Sequence, residues 1–244
     1  MANQFDTCHC LFEQSGAFKN AFRSLGFNSY DYDISNLYGQ TDIVIDLFNE
    51  IEKCYSGGLS IFDSFKPGSL LFAFFPCIYF ECQQSSYYSL QSNNTFKKSF
   101  TEKIDIAVER IKKREYYYIL LFKLLKICYV KKLRLIIENP ATQPHYLLYS
   151  QNFPKPTFID YDRRKSGDYF KKPTAYWFFN VQCFSKFTPF NNKLNLTVKR
   201  CRSSSTPGIC SIARSIISPE YAYNFICDHL LGFNPSFPQQ QQLF

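Results

Sequence analysis

Short apolar runs alternate with segments of helical periodicity through the first half of the chain, and this alternation restricts the fold more than any other feature. Residues 10–12 are predicted as a first strand, residues 18–25 as a helix that ends at Gly26, and residues 29–34 as a second strand. A strand, a helix and a second parallel strand form a right-handed β-α-β unit. The pattern therefore predicts an α/β fold of the Rossmann-like type, with a mainly parallel sheet and helices on both faces.

The same alternation continues towards residue 180. Further strands are predicted at residues 43–45, 70–75, 133–137 and 175–179, and further helices at residues 47–54 and 101–132. Beyond residue 180 the pattern weakens, and only residues 209–231 keep a helical periodicity. We therefore expect one main domain over residues 1–180 and a short C-terminal segment, 181–244, with a helix that packs back onto the main domain.

The composition is that of a folded, basic protein. With 45% hydrophobic residues among 244, the chain can bury a sizeable core, which excludes a disordered protein. The formal net charge of +8 favours a polyanionic partner such as nucleic acid, because Lys and Arg side chains displace counterions from phosphates. The alternative is a basic protein without such a partner.

Cysteine spacing and the longest apolar run bear on the cellular compartment. The ten cysteines are irregularly spaced and no signal-peptide pattern opens the sequence, which favours a reducing cytoplasm. Cys8-His9-Cys10 is similar to a fragment of a metal site, but no second pair with zinc-site spacing follows, so no metal is expected. The longest apolar run, residues 70–80, contains a proline and is too short for a membrane-spanning helix, so no membrane association is expected either.

Polar residues follow several of the predicted strands. Open α/β sheets bind ligands at the carboxyl ends of their strands. The candidate ligand-binding residues are therefore those that end or follow the predicted strands: residues 13–17, Asp31, Asp33, Asp46, Pro76-Cys77 and Glu138. The loop over residues 13–17 is small and polar, as a close approach of backbone to a ligand at a helix N-terminus requires. Asp31 or Asp33 can accept hydrogen bonds from ribose hydroxyls, and the alternative for each is a solvated acid.

Cys77 is a candidate nucleophile. It follows Pro76 at the end of a buried strand, where a thiolate can face a substrate. Glu138 follows the next strand along the chain and can act as an acid close to the thiol. An inert, buried cysteine is the alternative, and it is the commoner situation for cysteines in general.

Read in order, these signals form a series: Leu11-Phe12 with Ser15-Gly16-Ala17-Phe18, Asp31 to Asp33, Asp46, Phe75-Pro76-Cys77 and Glu138-Asn139-Pro140. In this order and spacing the chain resembles the DNA cytosine-5 methyltransferases over residues 9–180, and more faintly over residues 211–231. It looks closer to the short methylase-like proteins of phages and mobile elements than to the enzymes of restriction systems. The phrases that carry this similarity occupy residues 74–80, 138–146, 162–164 and 167–177.

The resemblance implies S-adenosylmethionine as cofactor and transfer of its methyl group to cytosine C5 in DNA, in the cytoplasm of a bacterial host. Cys77 would be the nucleophile and Glu138 would hold cytosine N3. Phe12 would stack on the cofactor adenine, Asp46 would contact the adenine, and Asp31 or Asp33 would hold the ribose. The residues implied in cofactor binding are Phe12, Glu13, Ser15, Gly16, Ala17, Asp31, Asp33, Asp46 and Pro76. The cations of the family's Gln-x-Arg-x-Arg motif would come from Arg163, Arg164, Lys171 or Lys172.

The sequence departs from the family pattern in three places. Glu13-Gln14-Ser15 stands where a glycine-rich loop is expected, and Ile78 replaces the glutamine that usually follows the nucleophile. The interval between Asn180 and Ser211 is too short for the usual target recognition domain. A reduced or absent recognition domain implies a preference for single-stranded or locally opened DNA, because extrusion of a base from a duplex costs free energy. Residues 81–99 take the place of the family's mobile loop over the base.

Two other functions stay open. A non-catalytic methyltransferase-like protein could bind nucleic acid, cofactor or a host protein, and a related enzyme could act on another pyrimidine substrate, including RNA. The presence of both Cys77 and Glu138 favours an enzyme, because a pure binding protein has no evident need for a thiol and a carboxyl group at these strand ends.

Overall fold

The computed structural model describes residues 4–80, 90, 95–142, 145–150, 152–185 and 216–233. Within these residues seven strands form one sheet: β1 Thr7–Leu11, β2 Asn28–Asp33, β3 Ile43–Val44, β4 Leu70–Ala73, β5 Arg134–Pro140, β6 Phe158–Asp160 and β7 Thr174–Phe179. The strand order is β3-β2-β1-β4-β5-β7-β6. The first five strands pair in parallel, and β7 is antiparallel to both of its neighbours. The predicted α/β fold with a mainly parallel sheet is confirmed.

Helices cover both faces of this sheet, as the alternation of apolar strands and helices predicts. They are α1 Ala17–Ser24, α2 Leu47–Tyr55, α3 Phe100–Val130, α4 Tyr146–Tyr149 and α5 Pro219–Phe225, which continues as a π-helical turn over Ile226–Leu231. The side chains of β4 alternate between the two faces. Leu71 and Ala73 pack in one core cluster with α2 and α3, whereas Leu70 and Phe72 pack in the other with α1 and α5.

The helix starts are set by short polar segments. Asp46 accepts hydrogen bonds from the first backbone amides of α2, and Ser99 forms a capping box with Glu102 at the start of α3. Ser218 caps α5, and Pro219 occupies its first turn, where the missing amide hydrogen is not needed. These caps fix the residues at which α2, α3 and α5 begin.

Several boundaries differ from the predicted ones. β1 ends at Leu11, because Phe12 has a φ of 62° and turns the chain out of the strand. β5 continues through residues 138–140, which pair with β7, so Glu138 lies within the strand rather than after it. The strand β6 was not predicted, since it has only three residues and lies in a polar, proline-containing stretch. Of the predicted C-terminal helix, residues 209–215 lie outside the described part of the chain.

Two further expectations concern membranes and metals. In the described ranges, no helix combines the length and apolar character that a membrane crossing requires. Among the same residues, no group of three or more potential metal ligands converges. Cys8 and Cys10 point to one face of β1, with their Sγ atoms 4.0 Å apart, whereas His9 points to the other face and stacks on Phe65. The three side chains therefore cannot bind one ion together.

Candidate active site

The loop after β1 begins with Phe12 at the carboxyl edge of the sheet. Its backbone amide donates a hydrogen bond to the Tyr32 carbonyl at 2.7 Å, which holds the loop against the end of β2. The half-buried Phe12 ring lies 5.2 Å from the ring of Phe48 and 5.3 Å from that of Phe75, measured between centroids. An aromatic surface therefore lies between the ends of β1 and β4, where the sequence predicts the adenine site.

Glu13, the next residue, caps helix α1. Its side chain is buried, and its two carboxylate oxygens accept hydrogen bonds from the backbone amides of Phe18 at 2.7 Å and Lys19 at 3.1 Å. These amides belong to the first turn, where the helix itself offers no acceptor. Burial raises the pKa of Glu13 from its usual 4.5 to about 7. The predicted cofactor contact of Glu13 therefore competes with a structural role inside the protein.

We expect the Glu13 carboxyl group to make stability depend on pH. Because its pKa is raised from 4.5 to about 7, the unfolded chain releases this proton at a lower pH than the native protein does. The free energy of unfolding should therefore fall as the pH rises from 4.5 to 7 and then level off. The expected loss is on the order of 3 kcal/mol.

Glu13→Gln is the control for this prediction, because a carboxamide does not titrate and keeps one oxygen for the Phe18 amide. Urea unfolding of both proteins at several pH values measures the difference. If the free energies of unfolding of the wild type and of Glu13→Gln differ by the same amount at every pH in this range, the prediction is contradicted.

The rest of this loop is held close to α1. Gly16 adopts a φ of 66°, and a Cβ atom there would lie 3.2 Å from Asn20 Nδ2 and 3.3 Å from Gln40 Cβ. Both the conformation and the close approach favour glycine. Ser15 Oγ accepts a hydrogen bond from the Ala17 amide at 3.4 Å. Ser15, Gly16 and Ala17 thus form the turn between β1 and α1, which agrees with the position predicted from the sequence.

The structure separates the two candidate acids of β2. Asp31 lies within the strand, fully buried, and pairs with Lys19 Nζ at 3.0 Å. Asp33 ends the strand and accepts hydrogen bonds from Gln14 Nε2 at 3.1 Å and the Ser35 amide at 2.8 Å. Burial raises the pKa of both carboxyl groups. Asp33 therefore lies beside the loop after β1, whereas Asp31 is committed to an internal ion pair.

Asp46 lies at the carboxyl end of β3, where the sequence predicts it, and it is exposed. Its Oδ1 atom accepts hydrogen bonds from the amides of Phe48 at 3.0 Å and Asn49 at 3.2 Å. The carboxylate thus caps α2, which sequence reasoning did not predict. Any contact with a ligand must be made by a side chain that also fixes the start of this helix.

Cys77 lies in the turn that follows β4 and is half-buried. The turn is held in two ways. The Phe80 amide donates a hydrogen bond to the Cys77 carbonyl at 2.8 Å, and Asn139 Nδ2 donates one to the Phe75 carbonyl at 2.8 Å. The second bond ties the segment before Cys77 to β5. Because β4 and β5 are parallel, with Ala73 opposite Ile137, the turn and Glu138 share one edge of the sheet.

Glu138 and Arg163 come together in the interior. Glu138 is buried, and its Oε1 atom lies 3.7 Å from Nη1 of the fully buried Arg163. Neither of these atoms, nor Arg163 Nε, has a hydrogen-bond partner among the residues that the structure describes. Buried polar atoms without partners are costly and uncommon. One acceptor and two donors therefore lack hydrogen-bond partners at this point.

The other candidate cations lie elsewhere. Arg164, the neighbour of Arg163, directs its guanidinium to Asp162 at 2.8 and 2.7 Å. Lys171 is exposed and Lys172 half-buried. The structure thus selects Arg163 as the cation beside Glu138. Because the Arg163 side chain is fully buried, it cannot contribute to a basic surface that contacts the phosphate backbone of DNA.

Two residues near Arg163 were missed by the sequence reasoning. Asp168 Oδ2 lies 2.6 Å from Arg163 Nη2, and the ring of Tyr221 lies against the Arg163 guanidinium. Asp168 belongs to the phrase at residues 167–177 and could have been found there, whereas no signal in the sequence marks Tyr221.

The predicted loop at residues 81–99 and the interval from Asn180 to Ser211 lie largely outside the described residues.

Neither the models of known protein families nor the curated proteins compared with this chain match it. The motifs of the chain and the geometry of its sheet edge are therefore the features that bear on its function.

Proposed function

We propose that this protein is an S-adenosylmethionine-dependent methyltransferase that acts on C5 of cytosine in DNA through a covalent bond to Cys77. The observation that carries the proposal is the buried pair of Glu138 and Arg163, with unpaired polar atoms, beside the turn that holds Cys77. A thiol, a carboxyl group and a guanidinium at one sheet edge are the groups that addition to a cytosine ring requires.

The strand order supports the proposal at the level of the fold. The Rossmann order is 3-2-1-4-5-6, and this sheet differs by an antiparallel strand between β5 and the edge strand. In the Rossmann order, a nucleotide cofactor binds at the carboxyl ends of the strands, where the order reverses between β1 and β4. Pairing with β7 also extends β5 through Glu138 and Asn139, which holds both side chains at fixed positions.

The residues at the ends of β1 and β2 suit the cofactor. Asp33 offers a carboxylate for the ribose hydroxyls, Phe12 offers an aromatic surface, and residues 15–17 form a tight turn between them. Pro76 borders this region from the end of β4. When bound, S-adenosylmethionine supplies an electrophilic methyl group. Asp31 and Glu13 are not in this set, because their carboxyl groups bind Lys19 and the start of α1.

The side chains of the protein divide the chemistry between them. The Cys77 thiolate forms a bond to C6 of the cytosine, and the electron pair of the C5–C6 double bond moves to C5, the atom that is methylated. Glu138 shares a proton with N3 and so stabilises the charge on the ring, while Arg163 keeps the Glu138 carboxyl group in place. Loss of the C5 proton to water and departure of the thiolate then restore the double bond.

Trapping with 5-fluorocytosine tests the proposal. A fluorine at C5 cannot leave as a proton does, so the bond between Cys77 and C6 persists after methyl transfer. We expect an adduct of protein and single-stranded oligonucleotide in the presence of S-adenosylmethionine, detected by denaturing electrophoresis and intact mass. The non-catalytic alternative, which the capping role of Glu13 in the loop favours, predicts binding without an adduct.

Asp46 provides a separate test of the cofactor site. Asp46→Ala should destabilise α2 by about 1 kcal/mol through loss of the cap, so a fall in cofactor affinity in this variant alone is ambiguous. Asp46→Asn keeps an oxygen for the two amides and removes the charge. We expect Asp46→Asn to unfold near the wild-type temperature and to bind S-adenosylmethionine more weakly in a calorimetric titration. Unchanged affinity in Asp46→Asn would remove Asp46 from the site.

DNA binding should depend on charge more than on sequence. Lys171 and Lys172 follow the turn that carries Arg163, and phosphate contacts release counterions in proportion to their number. The affinity for a single-stranded oligonucleotide falls as the salt concentration rises. We expect this dependence to be weaker in the Lys171→Ala/Lys172→Ala variant, with the slope of log affinity against log salt smaller in magnitude by about 1.4, at roughly 0.7 for each lost contact. The wild type should bind single-stranded oligonucleotides more tightly than matched duplexes.

The control for this prediction is Lys66→Ala, at the amino end of β4 on the opposite edge of the sheet. This variant should keep the wild-type slope. Tight, salt-insensitive and sequence-specific duplex binding by the wild type would contradict the prediction.

A further inference from the structure

Helix α5 packs directly on the short 3-10 turn over Arg163–Ser166 that carries Arg163. The Ser218 amide donates a hydrogen bond to Asp168 Oδ1 at 3.1 Å, and Ser218 Oγ donates one to the Gly167 carbonyl at 2.5 Å. Asn224 Nδ2 donates a third, to the Ser166 carbonyl at 3.0 Å. The N-cap and the helix thus bind three consecutive residues, Ser166, Gly167 and Asp168, at the end of the turn that carries Arg163.

The guanidinium of Arg163 is confined on three sides. Asp168 Oδ2 lies 2.6 Å from Nη2, the Tyr221 ring centroid lies 4.4 Å from Cζ, and Glu138 Oε1 lies 3.7 Å from Nη1. Tyr221 is itself fixed, since its hydroxyl group lies 2.8 Å from that of Tyr176 and donates a hydrogen bond to Asp160 at 3.2 Å. Asp168 and Tyr221 therefore determine where the unpaired Nε and Nη1 atoms of Arg163 lie.

We propose that α5 is part of the active site, and that Asp168 and Tyr221 are positioning residues that hold Arg163 beside Glu138 for the reaction at cytosine. This inference rests on the proposed function. A buried guanidinium needs a compensating charge, and Asp168 supplies it without using Nε or Nη1. The flat Tyr221 ring leaves the guanidinium little freedom to rotate away from Glu138.

Asp168→Asn is the most informative variant. The amide oxygen can still accept the Ser218 hydrogen bond, so α5 can stay in place while the charge that holds Arg163 is lost. A second variant, Tyr221→Leu, removes the ring that covers the guanidinium. For each we expect adduct formation with a single-stranded 5-fluorocytosine oligonucleotide, at saturating S-adenosylmethionine, to slow by about 100-fold. Oligonucleotide affinity should stay close to wild type, and Asp168→Glu should recover part of the rate.

Phe225→Leu is the matched control. Phe225 packs α5 against Phe18, Phe72 and Tyr176, and its ring centroid lies 6.1 Å from that of Tyr221. Among the described residues it makes no aromatic or cation–π contact with Arg163 itself, and leucine keeps an apolar side chain beside Tyr221. It should lower the thermal unfolding midpoint and leave the adduct rate close to wild type. A wild-type rate in both Asp168→Asn and Tyr221→Leu, or an equal loss in Phe225→Leu at matched stability, would overturn the positioning role alone. Absence of an adduct in the wild type would overturn the proposed function and this inference together.

Discussion

Replacement of Cys77 by alanine is expected to abolish both the covalent adduct and any methylation of cytosine, while cofactor affinity stays close to that of the wild type. The thiol is the only group at this position that can form the bond to C6, and serine is too weak a nucleophile to replace it without a base. The side chain is half-buried in a turn, so its loss should disturb the core little. Intact mass and product analysis measure the two effects.

A second cysteine serves as the control for this substitution. Cys54 is also half-buried, but it lies in α2, away from the turn after β4. Cys54→Ala should form the adduct at the wild-type rate, and Cys77→Ser should form none. Retained turnover in Cys77→Ala would exclude the proposed mechanism, even if the protein binds S-adenosylmethionine.

The Arg163→Met substitution is expected to have the largest effect on stability. It leaves the Asp168 carboxylate buried without its cation, and loss of one partner of such a pair costs about 3–5 kcal/mol. Burial disfavours the charged guanidinium, yet the pKa of Arg163 is raised above its usual value, because Asp168 and other neighbouring groups outweigh that penalty. Urea unfolding should show the loss as a lower midpoint with an unchanged slope.

The neighbouring arginine provides the control. Arg164→Met removes a pair with Asp162 at the protein surface, and such pairs contribute little, so stability should change only slightly. The double variant Arg163→Met/Asp168→Asn should be more stable than Arg163→Met, because residue 168 is then no longer a buried carboxylate without its cation. Equal stability of Arg163→Met and Arg164→Met would show that the buried pair does not hold the turn.

The strands of the parallel part of the sheet could be predicted because each is a short apolar run followed by a helix. The strand β4 is the clearest case, since all four of its residues are buried. The strand β6 could not be predicted in the same way. It has three half-buried residues, and its place at the edge depends on pairing with β7, which follows 14 residues after its end. Such pairing is a property of the whole sheet and leaves no local pattern.

The sequence could indicate where the candidate site lies, but it could not show which of two neighbouring acids or two neighbouring arginines belongs to it. Asp31 and Asp33 point to the same face of β2 and differ in their position along the strand. Asp31 lies inside the strand and pairs with Lys19, whereas Asp33 lies at the sheet edge and accepts a hydrogen bond from Gln14. Arg163 and Arg164 are adjacent, and the buried one, Arg163, lies against Tyr221 of α5. A contact that distinguishes the two arginines thus comes from a helix more than 50 residues further along the chain.

Packing of α5 over Arg163 has a consequence for the order of synthesis. Every strand of the sheet, together with Cys77, Glu138 and Arg163, leaves the ribosome before α5 does. A nascent chain can therefore pair its strands while the Arg163 side chain still lacks the ring of Tyr221. Under the proposed function, the protein would become competent for chemistry only when α5 docks, so that incomplete translation products would carry the nucleophile without an assembled site.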